Sequence, residues 1–170
     1  MKFKIMKLLL IVSLSFFLVS CGLLNNFKTH KDRRDKLSSE LTVTNIHDRV
    51  VLGKTSRQDI KKLFGKPKVI ERDSETMKII YEKWTQDETG INVFLSEGTD
   101  YWETVKYVDD GSSFSYDEFT VCYQYQSESL GIKAVYFFFI DDRLEGFVLD
   151  DTLKNKKSAQ RDRYLRDWID

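Results

Sequence analysis

A chain of 170 residues with 41% hydrophobic, 32% charged and 14% aromatic residues has the composition of an ordinary globular protein, which excludes collagen, coiled coil and wholly disordered classes. Twenty-seven Lys and Arg balance 27 Asp and Glu, so no basic excess marks a nucleic-acid binder and no nucleic-acid partner is expected. One Pro and eight Gly leave no room for a Pro-rich linker, and the length fits one domain.

In chain order, Lys2, Lys4 and Lys7 precede an apolar run from Leu8 to Val19 that ends in Leu18-Val19-Ser20-Cys21-Gly22. That run is too short for a stable membrane span and has the length of a secretory signal core. Leader and lipobox together resemble those of bacterial lipoproteins. The resemblance implies cleavage after residue 20, lipidation of Cys21 and a membrane partner reached through the lipid. Gly22 after the cysteine implies sorting to the outer membrane, facing the periplasm; in a Gram-positive cell the same anchor would sit on the outer face of the plasma membrane. An ordinary cleaved signal with an incidental cysteine is the plainer alternative. Loss of the three leader lysines leaves 24 basic against 27 acidic groups, so the mature chain is mildly acidic.

Residues 21–40 read as the lipidated cysteine and a polar, flexible tether, 41–153 as the folded domain, and 154–170 as a charged tail. Within the domain, Thr44 is an expected N-cap for a short helix ending near Gly53. The run Thr55-Ser56-Arg57-Gln58 predicts a capping box between Thr55 and Gln58. Ile60, Leu63 and Phe64 then form one apolar face, Gly65 ends the helix at positive φ, and Pro67 prevents its continuation. Beyond Pro67 the expectation is β: Val69-Ile70, Met77 to Trp84, Thr99 to Val108, Glu118 to Gln126, Ile132 to Ile140 and Leu144 to Leu149, with a hairpin loop at Asp109 to Ser113. In the tail, Tyr164, Leu165 and Trp168 share one helical face, which predicts a short docked helix.

Cys122 is the only cysteine besides Cys21, so an internal disulfide is excluded once Cys21 carries lipid. Strand alternation puts Phe119, Val121, Tyr123 and Tyr125 on one face and Cys122 on the other. A catalytic thiol would want a histidine, and His30 and His47 both fall early in the chain; Cys122 is expected to be an inert packing residue. No HExxH, CxxC, GxSxG or Gly-rich phosphate loop occurs. The acidic pairs Asp109-Asp110, Asp117-Glu118, Asp141-Asp142 and Asp150-Asp151 sit at expected turns or strand ends, where Asp is favoured for its backbone hydrogen bonds. A non-enzyme without cofactor or metal is the expectation.

The segment from Val51 to Pro67 resembles the SmpA/OmlA (BamE-like) family of small outer-membrane lipoproteins, through Gly53, Thr55, Asp59, Ile60, Leu63, Phe64, Gly65 and Pro67. The resemblance implies an α+β fold of two short N-terminal helices packed on one face of an antiparallel sheet, similar also to the β-lactamase-inhibitor-protein domain. Residues 85–131 are extra to that pattern. The implied function is a lipid-anchored, non-catalytic interaction module binding another envelope protein, in outer-membrane protein assembly or envelope integrity. An inhibitor or immunity-type lipoprotein that plugs an enzyme with Asp100-Tyr101-Trp102-Glu103 is the alternative. Candidate contact residues are the basic strip Arg57, Lys61 and Lys62 and the aromatics Tyr101 and Trp102, of which strand alternation lets at most one be core.

Overall fold

The computed structural model describes residues 40–88, 90–95, 98–108 and 115–169, with the side chain of residue 94 excepted. Cys21, the tether and the Asp109–Ser113 hairpin loop lie outside the described residues. The fold is α+β. Among the described residues six α-helices run in order: α1 (Val43–Arg49), α2 (Arg57–Phe64), α3 (Ser74–Thr85), α4 (Ile91–Phe94), α5 (Asp100–Thr104) and α6 (Lys156–Ala159). Six strands accompany them: β1 (Val51–Leu52), β2 (Val69–Glu71), β3 (Lys106–Tyr107), β4 (Val121–Tyr125), β5 (Ile132–Ile140) and β6 (Arg143–Leu153). The four longer described strands form an antiparallel sheet in the order β2-β4-β5-β6, and β1 pairs in parallel with β3. None of the described helices is long and apolar enough to cross a membrane.

The sheet is covered on both faces, not on one. Val121, Tyr123 and Tyr125 of β4 and Val135, Phe137 and Phe139 of β5 bury one face against Ile46 of α1, Ile60 of α2, Ile91 of α4 and Tyr101 of α5. The alternate residues Cys122 and Phe138 bury the other against Met77 and Trp84 of α3, with Phe119 beside them. Period-2 alternation explains the division, since successive side chains of a strand leave opposite sides. Phe119 falls on the Cys122 side, against expectation, because it precedes β4 and lies outside its alternation.

Two expected strands are wholly or partly helical. Met77 to Trp84 belongs to α3, whose N-cap Asp73 accepts from the Thr76 amide at 2.8 Å. Met77, Ile80, Tyr81 and Trp84 recur at helical spacing and all pack against the second core, so burying one face of a helix satisfies the aromatic residues that read as β. The Thr99–Val108 segment instead forms α5, capped by Thr99, followed by the two residues of β3. With β3 paired to β1, no hairpin joins it to β4.

The N-terminal caps are shifted as well. Helix α1 starts two residues earlier than expected, capped by Thr42 and not Thr44, with Thr42 accepting from the Asn45 amide at 3.0 Å, and stops at Val50. The capping box of α2 is Ser56 with Asp59, not Thr55 with Gln58: the Ser56 hydroxyl accepts from the Asp59 amide, and Asp59 accepts from the Ser56 amide. Thr55 is buried and its hydroxyl accepts from the Val51 amide at 2.8 Å, fastening the turn through Gly53. At the far end Gly65 does lie at positive φ (82°), with ψ −157°, a region essentially restricted to glycine and distinct from the left-handed helical one.

The tail is not a continuous helix. After α6 the chain turns repeatedly through residue 168, yet Leu165 is fully buried and Tyr164 and Trp168 pack on the first core. Asp162, itself buried, organises this segment. Its carboxylate accepts from the Tyr164 and Leu165 amides and from the Thr44 amide in the first turn of α1.

Candidate functional site

β6 is an edge strand, and among the described residues its outer edge is covered at two places. Leu144 donates its N–H to the Thr55 carbonyl and accepts from the Gly53 amide, at 2.9 and 2.8 Å. Further along, the Asn92 carboxamide of α4 plays the part of a neighbouring strand. Its Oδ1 accepts from the Leu149 amide at 2.8 Å and its Nδ2 donates to the Leu149 carbonyl at 2.9 Å.

Between these two points a cleft of about 310 Å³ opens along the strand. Its walls are Tyr81 and Thr85 of α3, Asn92 and Leu95 at α4, Tyr101 and Trp102 of α5, Leu52 of β1, and Glu145 to Val148 of β6. The volume lies at the small end of the range for ligand pockets, about 300–1,000 Å³. An irregularity in the ladder shapes its floor. Phe139 pairs with Leu144 and Phe138 with Gly146, so Glu145 has no partner on β5. This extra residue is a bulge, which bends the edge and re-aims side chains. It lets Leu144 and Phe147, three apart, share the first face, and it sends Glu145 into the cleft wall, where Arg143 Nε donates to its carboxylate.

Tyr101 and Trp102 divide as a helix divides them. Tyr101 is 2% exposed and Trp102 40% exposed. Tyr101 stacks edge-on to His47 and Tyr164, at centroid distances of 4.9 and 4.7 Å. Its hydroxyl has no hydrogen-bond partner among the described residues. Burial pushes the phenol well above its usual range, with Tyr164, Asp162 and Asp48 adding to the effect. Around it, the His47 ring nitrogens lie 2.9 Å from Asp48 Oδ1 and from Thr104 Oγ1, and Arg163 donates to Asp48 at 2.8 Å. Burial opposes ionisation of Asp48, but these donors from His47 and Arg163 hold its carboxyl below the usual range. This cluster ties α1, α5 and the tail together.

The basic strip is internally engaged. Arg57 Nε donates to Asp142 at 2.8 Å, Lys62 Nζ to Asp59 at 3.2 Å, and Lys61 Nζ sits 5.0 Å above the Tyr123 ring. Of the remaining motif residues, Ile60 is fully buried, Leu63 and Phe64 pack on the first core, Gln58 is exposed, and Pro67 is buried. Gly65 offers its carbonyl to the Tyr125 hydroxyl at 2.8 Å. These positions build the helix and its seat on the sheet; the cleft lies elsewhere. Trp102 is thus the one sequence-level contact candidate that is both exposed and part of a concave surface. Asn92, Glu145 and Phe147 were not candidates, because a bulge and an edge position leave no trace in residue order.

Cys122 is 1% exposed, and burial pushes its thiol far above the usual range, with Glu71 adding to it. That is the environment of an inert cysteine. Among the described residues no group of three or more His, Cys, Asp or Glu side chains gathers as metal ligands would. No protein-family model, curated protein or solved structure matches the chain.

Proposed function

We propose that the chain is a lipid-anchored envelope lipoprotein, held by Cys21 on the periplasmic side of the outer membrane, that acts as a non-catalytic module binding another envelope protein. The observation that carries this reading is the lipobox Leu18 to Gly22 behind a basic leader. The SmpA/OmlA resemblance of residues 51–67 adds a role in outer-membrane protein assembly or envelope integrity. Acyl chains on one cysteine bury enough methylenes to hold a mildly acidic domain on a membrane without a polybasic patch. The cleft beside Trp102 supports a binding role, since exposed aromatic residues at concave surfaces dominate interface energies.

The test uses the full-length lipidated protein, purified from detergent-solubilised envelopes with its bound proteins identified by mass spectrometry. A stoichiometric envelope protein is expected, and Cys21→Ser should accumulate as unprocessed precursor. A Cys21→Ser product that is still cleaved and detergent-requiring overturns the anchor. Turnover of a cell-wall or lipid substrate by the purified protein overturns the non-catalytic reading.

A further inference from the structure

The floor of the cleft carries an unused pair of backbone groups. In the β5–β6 ladder Phe137 faces Phe147 and Val135 faces Leu149, in unbroken register. Leu149 spends both its N–H and its C=O on Asn92, on the side away from β5. Phe147, two residues back, therefore aims its own N–H and C=O the same way, because hydrogen-bonding direction alternates along a strand. The neighbouring strand agrees: Phe139, of the same parity as Phe137, gives its carbonyl to the Thr120 amide on the β4 side. No described residue bonds to the Phe147 N–H or C=O across that edge.

Resting on the interaction-module reading, we infer that the cleft binds a short extended peptide segment of the partner protein, one residue of which pairs its N–H and C=O with those of Phe147. Asn92 shows the chemistry within the chain itself, since its carboxamide supplies one donor and one acceptor to the equivalent pair at Leu149. A purely apolar ligand such as an acyl chain would leave two backbone dipoles dry, which is costly. An anion would satisfy only the N–H and would face Glu145. A peptide unit answers both groups, and its alternating side chains would meet Tyr81 and Thr85 on one side of the strand and Trp102 on the other. The segment is short because Gly53 and Thr55 occupy the edge at Leu144 and Asn92 occupies it at Leu149.

The probes are N-acetyl-leucine N-methylamide and its ester isostere, in which the leucine N–H is replaced by oxygen. Each is titrated into the ¹⁵N-labelled full-length lipidated protein in detergent micelles and followed by NMR. In the free protein the Phe147 amide should exchange with solvent faster than that of Leu149. The amide probe should shift the Phe147 resonance and slow its exchange, and the ester should bind about fivefold more weakly for the lost hydrogen bond. Trp102→Ala, exposed and so expected to fold, should weaken the amide probe by about tenfold. Equal binding of amide and ester, shifts that map away from β6, or Phe147 protection equal to that of Leu149 in the free protein overturns the inference. If no probe binds while the envelope purification still yields a stoichiometric partner, the cleft assignment falls and the interaction module stands. If the probe binds at Phe147 and no partner is recovered, the cleft stands and the module reading falls.

Discussion

The two faces of the sheet are closed in different ways. The first is covered by pieces brought from both ends of the described chain: α1 and α2 from the start, α4 and α5 from the middle, and Leu165 and Ile169 from the last residues. The second is covered chiefly by α3, with Phe119 and the turn before β4 beside it. Long-range closure makes the first face depend on fastenings such as Asp162, which ties the tail to α1. Local closure makes the second depend on the packing of one amphipathic helix. The cleft opens at the seam where the two coverings meet the edge of β6, which is where neither is continuous.

The strongest way to break the first face is at Gly131, between the turn after β4 and the tail. It has φ 79°, and a Cβ there would lie 2.6–2.7 Å from atoms of Ala159. Gly131→Val combines a left-handed conformation, about 1–2 kcal/mol, with overpacking, about 1–3 kcal/mol. The total loss in a denaturant melt should be about 4 kcal/mol. Gly65→Val meets nothing within 4 Å, so only its backbone conformation counts and the loss should be about 1–3 kcal/mol. Equal losses at the two glycines would remove the close contact with Ala159 as the reason.

On the second face Met77 is fully buried, and Met77→Ala should cost about 3 kcal/mol through the cavity it leaves. Hydrogen exchange should then rise through α3 before it rises in α1; a uniform rise would mean that the two coverings unfold as one. At the seam, Asn92→Ala leaves the Leu149 amide and carbonyl without their carboxamide. A loss of about 1–2 kcal/mol is expected, together with faster exchange at Leu149.

The smallest effect is electrostatic. Burial opposes ionisation of Asp150, but Lys133 Nζ at 2.8 Å and the donors of Thr152 overcome it and hold the carboxyl below its usual range. A lowered folded-state pKa contributes stability that is present above the ordinary aspartate value, about 3.9, and is lost as the pH falls through the folded value. Because Lys133 is 44% exposed, solvent screening keeps the pair's contribution small. Asp150→Asn should lower stability slightly at neutral pH, where the ion pair is made, and flatten the profile below about pH 4, where the wild type loses the same contribution.

Strands β4 and β5 were legible because Val121 to Tyr125 and Ala134 to Ile140 are rich in aromatic and β-branched residues and apolar along most of their length. Helix α2 was legible from Gly65 and Pro67 at its end, although two adjacent hydroxyl residues left its start ambiguous by one position. Ser56 became the cap because Thr55 is spent on Val51. Helix α3 was misread, since Ile79, Ile80, Tyr81 and Trp84 raise the strand propensity of a segment whose burial has helical period. Its signal was present in Asp73 followed by Thr76, the residues that form the cap.

Local sequence determined the α+β class, the antiparallel core strands, the burial of Cys122 and the stop at Gly65, because each rests on periodicity or on a backbone conformation that one residue type favours. Only the tertiary structure decided that Tyr101 turns inward while Trp102 stays out, that the tail closes the first core, and that Phe147 faces an open cleft. Those outcomes depend on contacts between residues dozens of positions apart and on one bulged residue, Glu145, that shifts the phase of an edge strand. Hydrogen-bonding direction at an edge is a property of pairing, and no single strand carries it alone.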